Sequence, residues 1–174
     1  MSSKSLTEAE LDDALARALL NEPSTAAWFL SRTKFASEVA SCEFCRCNNP
    51  WSRVRLEVPN ALTGELEPLM KDCETDVLAV FATSDRRRLA LHIENKLAGG
   101  SFTPNQPELY EARKSQWKRR RKLGEYTDAC TVLIAPREFY EKHSDRAAIF
   151  DCYISHEDIS KYVPEFGAPT TIVV

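Results

Sequence analysis

Two acidic residues and a lysine occupy positions where they could hold a divalent metal ion beside a fixed positive charge. Glu94 and Lys96 lie two apart at the end of the apolar run 89–93, and residues two apart on a strand point to the same face. Asp76 precedes a second apolar run, 77–81. If the two runs pair as an antiparallel hairpin, the two carboxylates lie side by side, where they repel each other unless a cation lies between them.

Oxygen ligands of this kind favour Mg²⁺, with Mn²⁺ as the alternative. We expect Asn95 to add its backbone carbonyl oxygen, and Lys96 to orient a water or to stabilise charge on a phosphate. His92 shares a strand face with Glu94, and we expect it to pack near the metal rather than bind it. Surface ion pairs of the same composition are common, so the spacing alone also fits a hairpin without function.

The elements that must position these residues predict a mixed α/β domain, a sheet flanked by helices. Thr7 and Glu10 form a capping-box pattern that predicts a helix to about Asn21, and a second helical stretch follows. Residues 41–51 are expected to be a loop, and 65–70 are ambiguous. The alternating and apolar patterns predict strands at 52–58, 76–81, 89–97, 128–135 and 150–155, a helix from 106 to about 122, and short helices after 136 and 157.

Length and composition indicate one domain over residues 1–174. The chain has 174 residues, 43% of them hydrophobic and 28% charged, with a net charge of −3. That balance gives no overall attraction to nucleic acid, so any such attraction must come from a local patch. The sequence predicts neither a membrane span nor a signal peptide, and we expect a cytoplasmic protein.

The cysteines leave a second metal chemistry open. Cys42, Cys45 and Cys47 form a cluster, while three other cysteines are scattered through strand-like segments. A Cys-x-x-Cys pair can begin a zinc site, but tetrahedral zinc needs four ligands, and no second pair is present. Reduced thiols are the competing interpretation, and a zinc-stabilised interaction domain stays open as an alternative.

The ordered set Asp76, Glu94-Asn95-Lys96 and Gln106-x-x-x-Tyr110 resembles the motifs of the PD-(D/E)XK nuclease superfamily, in particular bacterial members with an "IENK" strand. The resemblance covers about residues 10–136 and implies a restriction-endonuclease-like αβββαβ core. Thr75 stands where the family pattern has proline. Members often carry an acidic residue at the first helix, and the similar position here is Glu22, with Glu10 and Glu38 as rivals.

The resemblance implies Mg²⁺-dependent hydrolysis of phosphodiester bonds in DNA, with RNA not excluded. Asp76, Glu94, Asn95 and Glu22 would hold the metal, Lys96 would position the water or the phosphate, and Gln106 and Tyr110 would line the site. A homodimer or a larger complex is possible. The alternative is a catalytically silent protein of the same fold that binds nucleic acid or serves as a subunit of a complex.

The helix after the motif carries a candidate nucleic-acid surface. Its residues Gln106, Tyr110, Arg113, Trp117 and Arg120 share one helical face, and five consecutive basic residues occupy 118–122. These charges would contact backbone phosphates, and the tryptophan would pack on a sugar or base. The competing interpretation is a solvated helix end that complements the helix dipole, with Trp117 in the core. The predicted contact residues are Arg113, Trp117, Lys118, Arg120 and Arg121.

Overall fold

The computed structural model describes residues 5–47 and 50–172 and shows an α/β protein built on a mixed five-stranded sheet. The first half contains α1 (Glu8–Asn21), α2 (Pro23–Ser31), β1 (Ala40–Arg46), β2 (Trp51–Pro59), β3 (Leu66–Glu74), β4 (Val77–Thr83) and β5 (Arg88–Asn95). The second half contains α3 (Gln106–Gln116), β6 (Asp128–Ala135), α4 (Arg137–Lys142), α5 (Ser144–Ala147), β7 (Cys152–Ser155) and α6 (His156–Ile159), with single 3₁₀ turns at Arg121–Leu123 and Pro164–Gly167. No helix in these described ranges combines the length and the apolar character of a membrane span.

The central sheet has the strand order β1-β4-β5-β6-β7. β4 pairs antiparallel with β1 and β5, whereas β6 pairs parallel with β5 and β7. A parallel neighbour needs a crossover connection, and α3 provides it between β5 and β6. In the β4–β5 hairpin Val77 lies opposite Ile93. The predicted hairpin is thus present, and its register brings the start of β4 beside the end of β5.

Helices cover both faces of the sheet, which is why β5 is buried along nearly its whole length. The odd positions Leu89, Leu91 and Ile93 pack into the core formed with α1 and α2. The even position Ala90 belongs to a second core with Trp117 of the α3 side. Residues on a strand alternate between faces, so the side chains of one short strand support two layers.

The helix α1 begins where its capping box predicts. The Thr7 hydroxyl accepts from the Glu10 backbone N–H at 3.2 Å, and the Glu10 carboxylate accepts from the Thr7 backbone N–H at 2.9 Å. These two bonds satisfy donors that the first helical turn leaves without an intrahelical partner. They also fix the position of the first turn, which carries Glu8.

Two predictions of secondary structure were wrong. Residues 40–46, expected to lie mostly in a loop, form the edge strand β1, because their backbone pairs with β4 in spite of an irregularity between Cys42 and Phe44. The strand expected at 52–58 is confirmed as β2, which lies outside the central sheet and pairs with β3 in a separate two-stranded ribbon. The helix expected to reach 122 ends at Gln116, and the chain then turns.

Candidate functional site

Three carboxylates meet where the first turn of α1 approaches the paired ends of β4 and β5. Glu8, Asp76 and Glu94 form this acidic cluster, and one oxygen of each lies within 4.8 Å of the others. Within the described residues no other trio of histidine, cysteine or acidic side chains shows this spacing. Glu94 is buried, while Glu8 and Asp76 are half-buried. The spacing and the oxygen ligands suit a hard divalent cation such as Mg²⁺ or Mn²⁺.

Lys96 supplies the positive charge of the site. Its Nζ lies 2.5 Å from Glu94 Oε1 and 3.9 Å from Glu8 Oε1. Only 11% of the side chain is exposed. Burial by itself lowers the pKa of the ammonium group, but the carboxylates of Glu94, Glu8 and Asp76 outweigh it and raise the pKa. Lys96 is therefore charged in the neutral range and sits against three acids.

Three ionised carboxylates would carry more negative charge than one lysine can neutralise. Burial raises the pKa of Asp76 well above its ordinary value, and the charges of Glu94 and Asp12 raise it further. Burial also raises the pKa of Glu8, with Lys96 opposing and Glu94 adding to the rise. Closely spaced carboxylates that resist ionisation in this way are stabilised in their charged form by a cation between them. The donor set thus fits a divalent metal ion.

Gln106 and Tyr110, predicted to line the site, both contact it. Gln106 Nε2 donates to Glu94 Oε1 at 2.6 Å, and its Oε1 accepts from the Thr103 backbone N–H at 3.0 Å. The Tyr110 hydroxyl donates to the Ile93 carbonyl and accepts from the Asp76 backbone N–H, each at 3.2 Å. The first two turns of α3 therefore tie the ends of β4 and β5 together and orient Glu94.

Asn95 contacts the cluster through its backbone N–H, which donates to Asp76 Oδ2 at 2.8 Å. Its side chain lies among buried polar groups: Nδ2 donates to Asp12 Oδ1 at 3.0 Å, and Oδ1 lies 3.1 Å from His156 Nε2. Burial raises the pKa of Asp12 to about 7 and lowers that of His156 to about 4. Sequence reasoning missed Asp12 and His156. The expected ligation by the Asn95 carbonyl stays a prediction.

The prediction for Glu22 is corrected. Glu22 lies at the junction of α1 and α2, is exposed, and accepts from the Thr25 hydroxyl at 3.0 Å. The acid of the first helix that reaches the cluster is Glu8, at the opposite end of α1. Of the two rivals, Glu10 serves the helix cap and Glu38 pairs with Arg87 on the surface. Acidic residues are common in first helical turns because of the helix dipole, so the type of Glu8 carried no specific signal.

The predicted nucleic-acid surface is corrected for Trp117, whereas phosphate contacts of the arginines and of Lys118 stay predictions. Trp117 is fully buried in the core beneath the β2–β3 ribbon, and Arg113 is 1% exposed. This face of α3 points inward because the β2–β3 ribbon packs over it, and Arg120 lies beyond the end of the helix. Arg120 is half-buried and donates to the Ser52 hydroxyl and to the Arg53 carbonyl. Lys118 is half-buried beyond the end of α3, and the side chain of Arg121 lies outside the described part.

His92 is buried on the α3 side of the sheet, where it packs against Tyr126 and Trp117, and the expected packing near the metal is not confirmed. Its Nε2 lies 2.8 Å from the Tyr126 hydroxyl, and its ring centroid lies 5.5 Å from that of Trp117. Burial lowers its pKa to about 3. In the neutral range the imidazole is therefore uncharged.

The cysteines do not form a metal-binding trio in the described residues. Cys42 and Cys45 both lie on β1, and their side chains pack against the core beside α1. The Cys47 thiol instead donates to Asp13 Oδ1 at 2.9 Å. The described geometry thus gives no support to a zinc site.

Comparison with known proteins returned no match: no protein-family model, no curated protein and no solved structure is significantly similar to this chain. A functional assignment therefore depends on the geometry of the acidic cluster, Lys96 and the residues of α3 that contact them.

Proposed function

We propose that the protein is a metal-dependent nuclease that hydrolyses phosphodiester bonds of DNA. The observation that carries the proposal is the acidic cluster of Glu8, Asp76 and Glu94, with the Lys96 ammonium group 2.5 Å from Glu94. Hard oxygen ligands beside a fixed cation are what hydrolysis of an anionic phosphodiester needs. We name Mg²⁺ as the cofactor, with Mn²⁺ as a substitute, because both prefer carboxylate oxygens.

Each residue has a separate part in this reaction. Glu8, Asp76 and Glu94 would hold the metal ion, which when bound supplies a Lewis acid and a water of lowered pKa. Lys96 stabilises negative charge on the phosphate oxygens and orients the attacking water. Gln106 fixes the rotamer of Glu94 through its 2.6 Å hydrogen bond. Tyr110 holds the backbone of Asp76 against that of Ile93.

The order of the elements supports the same proposal. When α2 and the β2–β3 ribbon are left aside, the order α1, β1, β4, β5, α3, β6 matches the αβββαβ order that the resemblance to the PD-(D/E)XK superfamily implies. The β2–β3 ribbon is an insertion between the first two strands of that order. We therefore propose a restriction-endonuclease-like core in which Glu8 takes the role that the resemblance assigned to Glu22.

The test is cleavage of linear, circular and single-stranded DNA, and of RNA, with Mg²⁺, Mn²⁺ or EDTA. We expect cleavage that requires the metal, loss of it in Lys96→Ala and Asp76→Ala, and a strong reduction in Glu8→Gln. The matched control is Glu22→Gln, which removes an exposed acid away from the cluster and should retain full activity. Melting temperatures of all variants separate loss of chemistry from loss of fold.

Two outcomes would overturn the proposal. Full Mg²⁺-dependent cleavage by Lys96→Ala or Asp76→Ala would remove these residues from the reaction. Absence of cleavage on every substrate, with nucleic acid still bound, would favour the catalytically silent binding protein instead.

A further inference from the structure

A cleft between α3 and the β2–β3 ribbon adjoins the acidic cluster. Its volume is about 360 Å³, and its lining includes Gln106, which also donates to Glu94. The opposite wall is formed by ribbon residues, among them Trp51 and Lys71. A ligand in the cleft would therefore lie next to the residues that we propose to carry out hydrolysis.

Arg113 lines this cleft and is a buried cation that has no counter-ion among the described residues. The residue is 1% exposed, and none of the ion pairs among the described residues includes it. Its Nε donates to the Leu109 carbonyl at 3.1 Å, and its guanidinium carbon lies 3.8 Å from the centre of the Tyr110 ring. Nη1 is buried and has no hydrogen-bond partner among residues 5–47 and 50–172. Burying an unpaired charge is costly, so this arrangement favours an anionic ligand.

Trp51 offers an aromatic surface in the same cleft. It is 65% exposed, although it is a large apolar side chain at the start of β2. In the described residues its ring has no aromatic or cationic side chain stacked against it. Exposed aromatic rings beside positive charge are the elements with which proteins bind single-stranded nucleic acids, because a base stacks on the ring while the phosphate meets the cation.

The other charged residues that line the cleft are each bound to another group of the protein or would repel an anion. Lys71 Nζ donates to the Pro104 carbonyl at 3.1 Å. Asp72 is paired with Arg53 at 3.0 Å. Glu74, opposite Trp51 in the ribbon register, has no ion-pair partner in the described residues and would repel a phosphate. Removing the negative charge of Glu74 should therefore strengthen binding of an anion, whereas removing the positive charge of Arg113 should weaken it.

We propose that the cleft binds one nucleotide of an unpaired strand, with a phosphate on Arg113 and the base stacked on Trp51. The proposal rests on the proposed function, since the same strand would continue to the acidic cluster. Gln106 and Arg113 are seven residues apart on α3, about 10 Å along the axis, a span that a few nucleotides cover. Duplex DNA keeps the faces of its bases within the stack, so the substrate of this site is a single strand or a frayed end.

The experiment measures binding of fluorescein-labelled single-stranded DNA, single-stranded RNA and duplex DNA of about 12 nucleotides, by anisotropy, in EDTA and in Ca²⁺. For single strands, we expect Trp51→Ala to weaken binding at least about fivefold and Trp51→Phe to restore most of it, because base stacking on an aromatic ring contributes about 1–3 kcal/mol. Glu74→Gln should tighten binding. Comparison of the affinities for single-stranded DNA and single-stranded RNA identifies the nucleic acid that the cleft prefers.

Arg113→Met tests the phosphate contact. We expect weaker binding and a decrease of about 0.7 in the slope of log affinity against log salt, the value for one lost phosphate contact on a single strand. A purely structural arginine would change the melting temperature without changing the salt slope. Because Trp51 and Glu74 are exposed, their variants test the cleft even if Arg113→Met fails to fold.

The results separate this inference from the proposed function. Binding that depends on Trp51, without cleavage in Mg²⁺, would overturn the nuclease and leave the cleft as a nucleic-acid site. If the protein cleaves DNA in Mg²⁺ but Trp51→Ala binds single strands as tightly as the unmodified protein, the proposal of nucleotide binding in the cleft is overturned and the nuclease is not. Tighter binding of duplex than of single strands by the unmodified protein would also overturn it.

Discussion

Replacing Asp76 by asparagine should stabilise the metal-free protein and abolish its stabilisation by metal. Asp76 and the other two acids lie within 4.8 Å of one another. At that distance and an effective dielectric constant of about 20, two unit charges repel by roughly 3.5 kcal/mol. The charge of Lys96 offsets much of this repulsion, as does partial protonation of the carboxyl groups whose pKa is raised. We expect a net gain of about 1–2 kcal/mol in the free energy of unfolding, or about 2–8 °C in melting temperature.

The substitution preserves the local hydrogen bonding. The asparagine carbonyl can still accept from the Asn95 backbone N–H, as Asp76 Oδ2 does at 2.8 Å. The amide nitrogen replaces a repelling oxygen near Glu94. The change therefore removes charge while keeping the volume and the acceptor.

The assay is thermal unfolding in EDTA and in increasing Mg²⁺ or Mn²⁺. At a metal concentration ten times the dissociation constant, binding stabilises the unmodified protein by about 1.4 kcal/mol, and the variant should gain almost none of this. Asp145→Asn, an exposed aspartate on α5, is the matched control and should change stability by no more than about 0.5 kcal/mol. A lower melting temperature of Asp76→Asn in EDTA, or undiminished stabilisation by metal, would refute the reasoning.

Three further perturbations test the packing around the site. The pKa of Asp12 is raised to about 7, so its contribution to stability is present below about pH 4 and is lost as the pH rises to 7. Asp12→Asn should therefore raise the melting temperature at pH 8 but not at pH 4. A higher melting temperature of the variant at pH 4 but not at pH 8 would contradict the argument from burial. Trp117→Ala should cost about 3–5 kcal/mol in chemical denaturation, whereas a surface tryptophan would cost almost nothing. Tyr110→Phe should cost about 1 kcal/mol and weaken metal binding measured by calorimetry, because the Asp76 backbone N–H loses its acceptor.

Local pattern was sufficient to predict the pairing of Asp76 with Glu94. Both residues flank apolar runs joined by a short turn, and the register of a hairpin is set by the turn and by the alternation of side chains. The position of Gln106 and Tyr110 on one helical face was also predictable, because residues four apart on a helix lie on the same side. That this face of α3 contacts the ends of β4 and β5 was implied only by the resemblance to the nuclease superfamily, because Tyr110 and Asp76 are 34 residues apart in the sequence.

The β1 strand and the inward face of α3 could not be predicted in this way. β1 is an edge strand with an irregular register and three cysteines nearby, so its sequence shows little alternation. The face of α3 that carries Arg113 and Trp117 is mixed in polarity, and its burial depends on the β2–β3 ribbon packing over it. β1 pairs with β4, and α3 is covered by the β2–β3 ribbon. Both contacts join segments that are far apart in the sequence, so local patterns do not predict them.

The sequence by itself determined the hairpin, the carboxylate pair at its end and the lysine beside them, because all of these depend on contacts between near neighbours in the chain. Only the tertiary structure decided that Glu8 rather than Glu22 completes the acidic cluster. The two acids lie at opposite ends of α1, and the packing of that helix on the sheet selects which end reaches β5. Likewise, only the packing of the β2–β3 ribbon over α3 decided that the face carrying Arg113 and Trp117 is buried, because the ribbon is distant from α3 in the sequence.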